Sequence, residues 1–293
     1  MFFKRIAAFL CALTMLLSCA AGEGFYDVMN DPYALPIDFS GGMPLDPGRI
    51  VGGVEYEDPT IRVTLESGRY RECDWWAARI KIASPTQLRT VSAGGFNTSM
   101  TMLGTALARR VNAVLAIDGD YYFYTGKGFI LRQGTVYRNL LDGTTDVLLI
   151  DETGDFRVIR NALPDSCSNF MDGRRIINAM YFGPALVLDG SPVQNVSGSN
   201  MAYDLGRQRM CIAQVGPLEY MCICCAGPAR GSEGMTLQVF ADFVASFGVE
   251  TAYNLDGGDS TMLIFNGEKI NDVNNASSRK ISDILYFCSA WNQ

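Results

Sequence analysis

Histidine is missing from this chain altogether. That absence removes Ser/His/Asp and Cys/His nucleophile systems, His-ligated zinc, and imidazole as a proton carrier near neutral pH. Acid and base work falls to carboxylates, Tyr, Lys or Cys. Basic charge is also scarce. The 24 Lys and Arg are outnumbered by 31 Asp and Glu, giving a net charge of −7, and no basic stripe of the kind a phosphate backbone requires is present. Nucleic-acid binding is therefore set aside. Beyond Leu17 no uninterrupted apolar run is long enough for a membrane helix.

What the chain does have is a core: 48% of its 293 residues are hydrophobic, enough for one large domain or two small ones. Lys4 and Arg5 precede an apolar run from Ile6 to Leu17 that reads as a secretory signal over residues 1–18. Its end, Leu16-Leu17-Ser18-Cys19, resembles the lipobox of bacterial lipoproteins, which makes Cys19 the lipidation site; ordinary cleavage near Ala20 and Ala21 is the alternative. The expectation is an exported protein, held at the cell envelope through that anchor or otherwise secreted. Residues 19–53, rich in Gly, Pro and Asp, read as a tether or irregular arm, and residues 54–293 as the folded domain.

Apart from Cys11 in the signal and Cys19 at its end, seven cysteines remain, an odd number, so at least one thiol is free or bonded elsewhere. The crowded MCICC, Met221 to Cys225, sits in an apolar strand where alternation puts Cys222 and Cys224 on one face and Cys225 on the other. These read as small buried hydrophobes or a disulfide rather than a metal or redox centre.

From Val54 onward, short β-branched and aromatic runs dominate, separated by Gly, Asp and Asn turns. Two stretches carry helical periodicity. One spans Met100 to Val111, behind Asn97 and Thr98 as caps. The other spans Thr236 to Phe247, with Thr236 as cap and Gly248 as a left-handed stop. The fold class is α+β: a mixed, strand-dominated sheet core with two principal helices. Each helix precedes, by one strand, a turn dense in acid. These turns are AIDGDYY (Ala116 to Tyr122) and NLDGGDST (Asn254 to Thr261). Helix, strand and acidic turn thus occur twice, which places the turns at corresponding ends of one sheet. In the second turn the adjacent Gly257 and Gly258 let the backbone bend sharply and approach a ligand. An ordinary turn with Asp side chains capping backbone groups is the plainer reading of either segment alone.

With these landmarks in order, residues from about Ile61 to Phe287 resemble the phosphodiester glycosidase family. The match rests on the first helix with AIDGDYY, on YFGPALVLDGSPV (Tyr181 to Val193), on RMCIA (Arg209 to Ala213), on Gly231 to Leu263 with NLDGGDST inside it, and on the closing SRKISDILYF. The resemblance implies an exported hydrolase that cleaves the sugar C1–phosphate link of a phosphodiester-linked glycoconjugate, with an N-acetylglucosamine-type α-glycoside as the implied sugar. Departures from the pattern fall at Asp118, Met210, Cys211 and Ala213.

That chemistry has two needs. The phosphodiester anion suits Arg, whose planar fork matches paired oxygens. Arg209, at the motif position, is the first candidate and Arg230, ahead of a helix start, the second; Arg132 and Arg279 rank below them. The sugar carbon develops positive character that a carboxylate can stabilise, attack, or serve by activating water. Asp256, Asp259, Asp118 and Asp120 are the catalytic candidates. Asn254, Gly257, Gly258, Ser260 and Thr236 complete the expected substrate-binding set, Thr236 being equally a helix cap. Tyr121, Tyr122 and Phe123 offer a platform for a sugar face. Carboxylates this close repel, which raises one pKa or recruits a cation such as Ca²⁺ or Mg²⁺. Two other readings stay open: a non-catalytic surface lipoprotein that binds glycan or cations with the same turns, and a metal-dependent phosphodiesterase cleaving on the phosphorus side.

Overall fold

A computed structural model describes residues 41–292 apart from 97, 197–201, 230 and 272–278. The signal segment, Cys19 and Arg230 lie outside the described residues. Among those described, no helix is long and apolar enough to cross a membrane.

Three antiparallel sheets share one core. The largest has nine strands, and within it the neighbours run in the order Ile61–Tyr70, Cys73–Ile82, Glu219–Cys225, Arg209–Gly216, Thr251–Asn254 and Ala185–Leu188. A five-stranded sheet centres on Ala113–Asp118, flanked by Leu263–Phe265 and Asp283–Cys288. A six-stranded sheet contains Gly128–Arg132, Val147–Asp151 and Arg174–Met180. The alternation of each strand decides which residues meet in the middle. Val63, Ile80, Ile212, Cys222, Cys224 and Tyr253 come from the large sheet, Leu115, Ile117, Leu285 and Phe287 from the second, and Leu148, Ile150 and Met180 from the third. All are essentially dry.

Each principal helix covers an outer face. Leu237–Ala245 packs Leu237, Phe240, Ala241 and Val244 against the large sheet. Thr236 caps it, its Oγ1 accepting the Val239 N–H at 3.2 Å, and Gly248 follows it with φ +75°. The other helix is shorter than its periodicity suggests, Gly104–Arg110. Met102 and Leu103 pair instead with Lys280 and Ile281, and the helix starts without a side-chain cap. The long-range strand pairing takes residues that local periodicity would give to the helix. Residues 41–51 of the expected arm lie against the domain: Gly42 N–H donates to Val111 O, Met43 N–H to Ser289 O, and Ile50–Val51 pairs with Glu55–Tyr56.

All seven described cysteines are buried thiols. Cys222 and Cys224 face the central core, and Cys225 faces the layer under the Leu237–Ala245 helix, in the alternation expected of MCICC.

Candidate functional site

The two acidic turns do not end strands of one sheet, as the repeated pattern implied. Ala113–Asp118 belongs to the five-stranded sheet and Thr251–Asn254 to the nine-stranded one. They meet because the segment from Leu255 to Met262 crosses between the sheets. It leaves the large sheet beside Arg209–Gly216, with Leu255 N–H donating to Met210 O at 2.9 Å, and joins the other where Leu263 pairs with Ile117. Asp256 N–H donates to Gly119 O at 3.2 Å on the way. Asp118, Asp120 and Asp256 thus come into one neighbourhood, held from two layers.

Their surroundings differ, and so does their chemistry. Asp118 is fully buried. Its Oδ1 accepts the Met262 N–H at 2.7 Å, while its Oδ2 has no hydrogen-bond partner. Burial first, and then the charge of Asp256, push its pKa well above the usual carboxylate range, so the neutral acid is favoured. Asp120 is equally dry. It accepts the Tyr181 N–H at 2.8 Å and pairs with Arg132 Nη2 at 2.7 Å. The same Nη2 lies 3.4 Å from Asp283 Oδ2 on the closing strand. One buried cation thus serves two carboxyls, and the Asp283 pKa is raised by burial and by the charge of Asp120. Gly119 is what lets Asp283 in: a Cβ at that position would stand 2.3 Å from Asp283 Oδ1.

Asp256 alone of these carboxyls is part-exposed. Burial lifts its pKa to about 6, against the opposing pull of Ser260, the Gly257 N–H and the Arg279 charge. Ser260 sits beside it with a buried hydroxyl that completes no hydrogen bond of full geometry, and the buried Thr261 hydroxyl is likewise without a partner. Asp256 lines two recesses. On one side are Tyr121, Tyr124, Ser260, Arg279 and Asp283. On the other, a cleft of about 220 Å³ is lined by Phe182, Arg207, Arg209, Asn254, Gly257 and Gly258.

The expected sugar platform is present in altered form. Tyr121 adopts a left-handed backbone (φ 61°), a conformation a bulky residue holds only under tertiary constraint. Its ring stacks on Tyr124 at 4.3 Å, with the Arg279 guanidinium 5.7 Å from the Tyr121 ring. Tyr122 instead turns inward against Phe96 and Arg132, and it does so from the start of a helical turn, Tyr122–Thr125, not from the strand that the alternation of neighbours assumed.

Arg209 reaches the cleft, but its guanidinium is engaged with the backbone. Nε donates to Met235 O at 3.0 Å, and Nη2 to Ala202 O and Leu205 O, both at 2.9 Å. Burial lowers its pKa to about 10, so it remains a cation at neutral pH and shapes the cleft wall as fixed positive charge. Arg207, two residues earlier and exposed, stands in the same wall; sequence reasoning did not single it out. Gly257 allows close approach there, since a Cβ would lie 2.8 Å from Gln208 O. Asn254 is buried, its Nδ2 donating to Gly183 O at 2.8 Å. Asp259 is exposed and lines neither recess, and Thr236 serves as a helix cap. Arg132 is a buried partner of carboxylates rather than a surface residue. Among the described residues, no three acidic or thiol side chains converge so as to hold a metal ion.

A profile of the family described as phosphodiester glycosidase matches residues 111–288. Over 196 residues the chain is 24% identical to the SPbeta prophage-derived uncharacterized protein YomE of Bacillus subtilis (strain 168), a match covering 65% of this chain and 30% of that relative's length. Among solved structures it is similar to the catalytic domain of zebrafish N-acetylglucosamine-1-phosphodiester alpha-N-acetylglucosaminidase, auto-inhibited by pro-peptide, with TM-score 0.65 and 17% identity over 88% of this chain and 98% of that one. It is also similar to a hypothetical protein from Synechocystis, with TM-score 0.56 and 15% identity over 78% of this chain and 62% of the other. At these identities the structural likeness speaks for the fold.

Proposed function

Because the chain belongs to the phosphodiester glycosidase family, we propose that it is an exported hydrolase that breaks the C1–oxygen bond between an N-acetylglucosamine-type α-sugar and a phosphodiester. One observation carries this reading. The part-exposed carboxyl of Asp256 stands between an aromatic platform and a cleft walled by arginines, at the junction where an anomeric carbon would sit between its sugar ring and its phosphate.

In this reading the sugar lies on Tyr121 and Tyr124, and the phosphate faces Arg207, the fixed charge of Arg209 and the Gly257–Gly258 turn. Ionised Asp256 takes a proton from water, the water oxygen bonds to C1, and the C1–O bond electrons leave with the phosphate monoester. A phosphate leaving group is weakly basic and needs little help from an acid. That fits a site in which Asp118 is wholly buried and Asp283, although it borders the sugar-side recess, is almost fully buried too. Their upward-shifted pKa values limit the negative charge stacked behind the reacting carboxylate.

Free sugar plus a phosphate monoester, identified by mass spectrometry from an N-acetylglucosamine 1-phosphodiester, is the expected product set. Sugar 1-phosphate would mean cleavage on the phosphorus side and would overturn the assignment. The base must be ionised, so kcat/KM falls as pH drops through about 6, the Asp256 value. Arg279 lowers that value by its charge. Arg279→Met is therefore expected to move the acidic limb of the pH profile upward by several tenths of a unit or more, the scale on which one nearby charge shifts a pKa. An unmoved limb would remove Arg279 from the electrostatics of the site.

Export and the Cys19 anchor belong to the same proposal. They rest on the basic start, the apolar run to Leu17 and the lipobox-like Leu-Leu-Ser-Cys.

A further inference from the structure

Beside the cleft that holds Asp256 lies a larger cavity of about 480 Å³, lined by Thr144, Arg160, Asn161, Tyr203 and, shared with the cleft, Phe182. Its construction is rigid where it borders the reacting centre. Phe182 N–H donates to the Tyr253 hydroxyl at 3.1 Å, and that hydroxyl donates to Asp146 O at 2.6 Å. Asn254 holds the next carbonyl, Gly183 O. The strand that delivers Asp256 therefore also fixes the ridge between cleft and cavity.

The cavity's charge is equally fixed. Asp146 is buried, accepting the Asn161 and Ala185 N–H groups at 2.9 and 3.0 Å. It also grips Arg160 Nε at 2.9 Å. This orients an Arg side chain that is still 46% exposed, with its two Nη groups making no other ion pair among the described residues. A buried carboxylate that anchors an exposed guanidinium by one edge presents the remaining fork to a ligand. Hydroxyl and amide groups of Thr144 and Asn161 and the half-exposed Tyr203 surround it.

We infer that this cavity receives the alcohol half of the phosphodiester, and that this half is a polyol bearing a second phosphate. The inference rests on the reading of the site as a phosphodiester glycosidase, since it assigns the leaving group to the arginine side of Asp256. A neutral alcohol would leave the outer edge of the Arg160 guanidinium, the edge that Asp146 does not hold, to solvent. A tetrahedral oxyanion uses both the fork and the Asn161 amide and Tyr203 hydroxyl beside it, the Thr144 hydroxyl being already donated to Asp142.

Two substrates test it: the N-acetylglucosamine 1-phosphodiester of methanol, and the corresponding diester of glycerol 3-phosphate. Wild-type protein is expected to show a KM roughly tenfold lower for the second, the scale of one charge-assisted contact. Arg160→Met should erase that advantage with kcat and the methyl diester unaffected. Arg160→Lys should keep part of it, and Tyr203→Ala, on an exposed residue, should weaken it without risk to folding. Equal values for the two diesters in wild type, or an equal loss on both in Arg160→Met, would overturn the inference. Titration with glycerol 3-phosphate followed by NMR separates it from the catalytic reading. Binding that Arg160→Met weakens tenfold and Asp256→Asn leaves intact supports the cavity even if neither diester is cleaved, in which case the glycosidase reading fails alone. Glycerol binding as tightly as its phosphate would dismiss the cavity's charge preference.

Discussion

Asp256→Asn should lower kcat for sugar release by about a thousandfold or more, the loss expected when the group that handles the reacting proton is removed. It should leave KM within a few-fold of wild type. The exchange keeps the side chain's shape and an oxygen that can still accept the Gly257 N–H, so the turn has no steric reason to move. It removes only the charge. That charge is held at a cost, since burial raises the folded-state value to about 6 while an unfolded Asp sits near 3.9. The folded protein therefore binds the proton more tightly than the unfolded chain. Stability falls as pH rises from about 4 to about 6 and is constant above that range. At pH 7 the Asn variant should be more stable than wild type by about 1–2 kcal/mol, partial exposure tempering the shift. At pH 4 the two should melt together. A variant as active as wild type would remove Asp256 from the mechanism. Loss of activity with loss of stability at pH 7 would mean that the carboxylate is structural.

Arg132→Met should be the most destabilising single change around the site, by about 3–5 kcal/mol at neutral pH. Arg132 is fully buried, with Asp120 at 2.7 Å and Asp283 at 3.4 Å, and it also donates to the carbonyls of Leu131 and Ala179. Methionine restores the stem's packing but leaves two dry carboxyls facing each other and two carbonyls without that donor. Asp283, already raised by burial and by the charge of Asp120, would lose the cation that opposes the rise. The deficit relative to wild type should be largest at alkaline pH and shrink as pH drops through that raised value, when Asp283 takes up its proton. Thermal melts across pH read this directly. Adding Asp120→Asn and Asp283→Asn to Arg132→Met should recover much of the loss at pH 7, because no uncompensated charge remains. A flat pH dependence of the deficit would mean that packing, not charge, is what Arg132 supplies.

Much of the candidate site was legible in the chain because its parts are local. Two glycines between acids announce a sharp polar turn, and Asp118 and Asp256 are brought together as the paired turns suggested. The Thr236 cap and Gly248 stop are equally local, which is why that helix was readable nearly to its ends. What could not be read is set by partners distant in the chain. The first helix begins late because Met102 and Leu103 pair with Lys280 and Ile281. Arg209 was expected to reach for phosphate, yet the carbonyls that occupy it belong to residues 202, 205 and 235, which no spacing rule places there. Asp283 stands in plain view in the closing SRKISDILYF, but its role follows only from the strand pairing that sets Ile284 opposite Asp118. Period-2 patterns say which face a residue takes, not which strand lies beside it.

The stretch between Leu255 and Met262 is a rivet through two plates. One end is fastened to the Met210 carbonyl in the large sheet and the other to Asp118 in the smaller one. The proposed catalytic carboxyl of Asp256, mounted on such a rivet, is tied to both sheets and not to a single edge. Heat or denaturant should therefore leave turnover chemistry intact until the plates separate, and then end it at once.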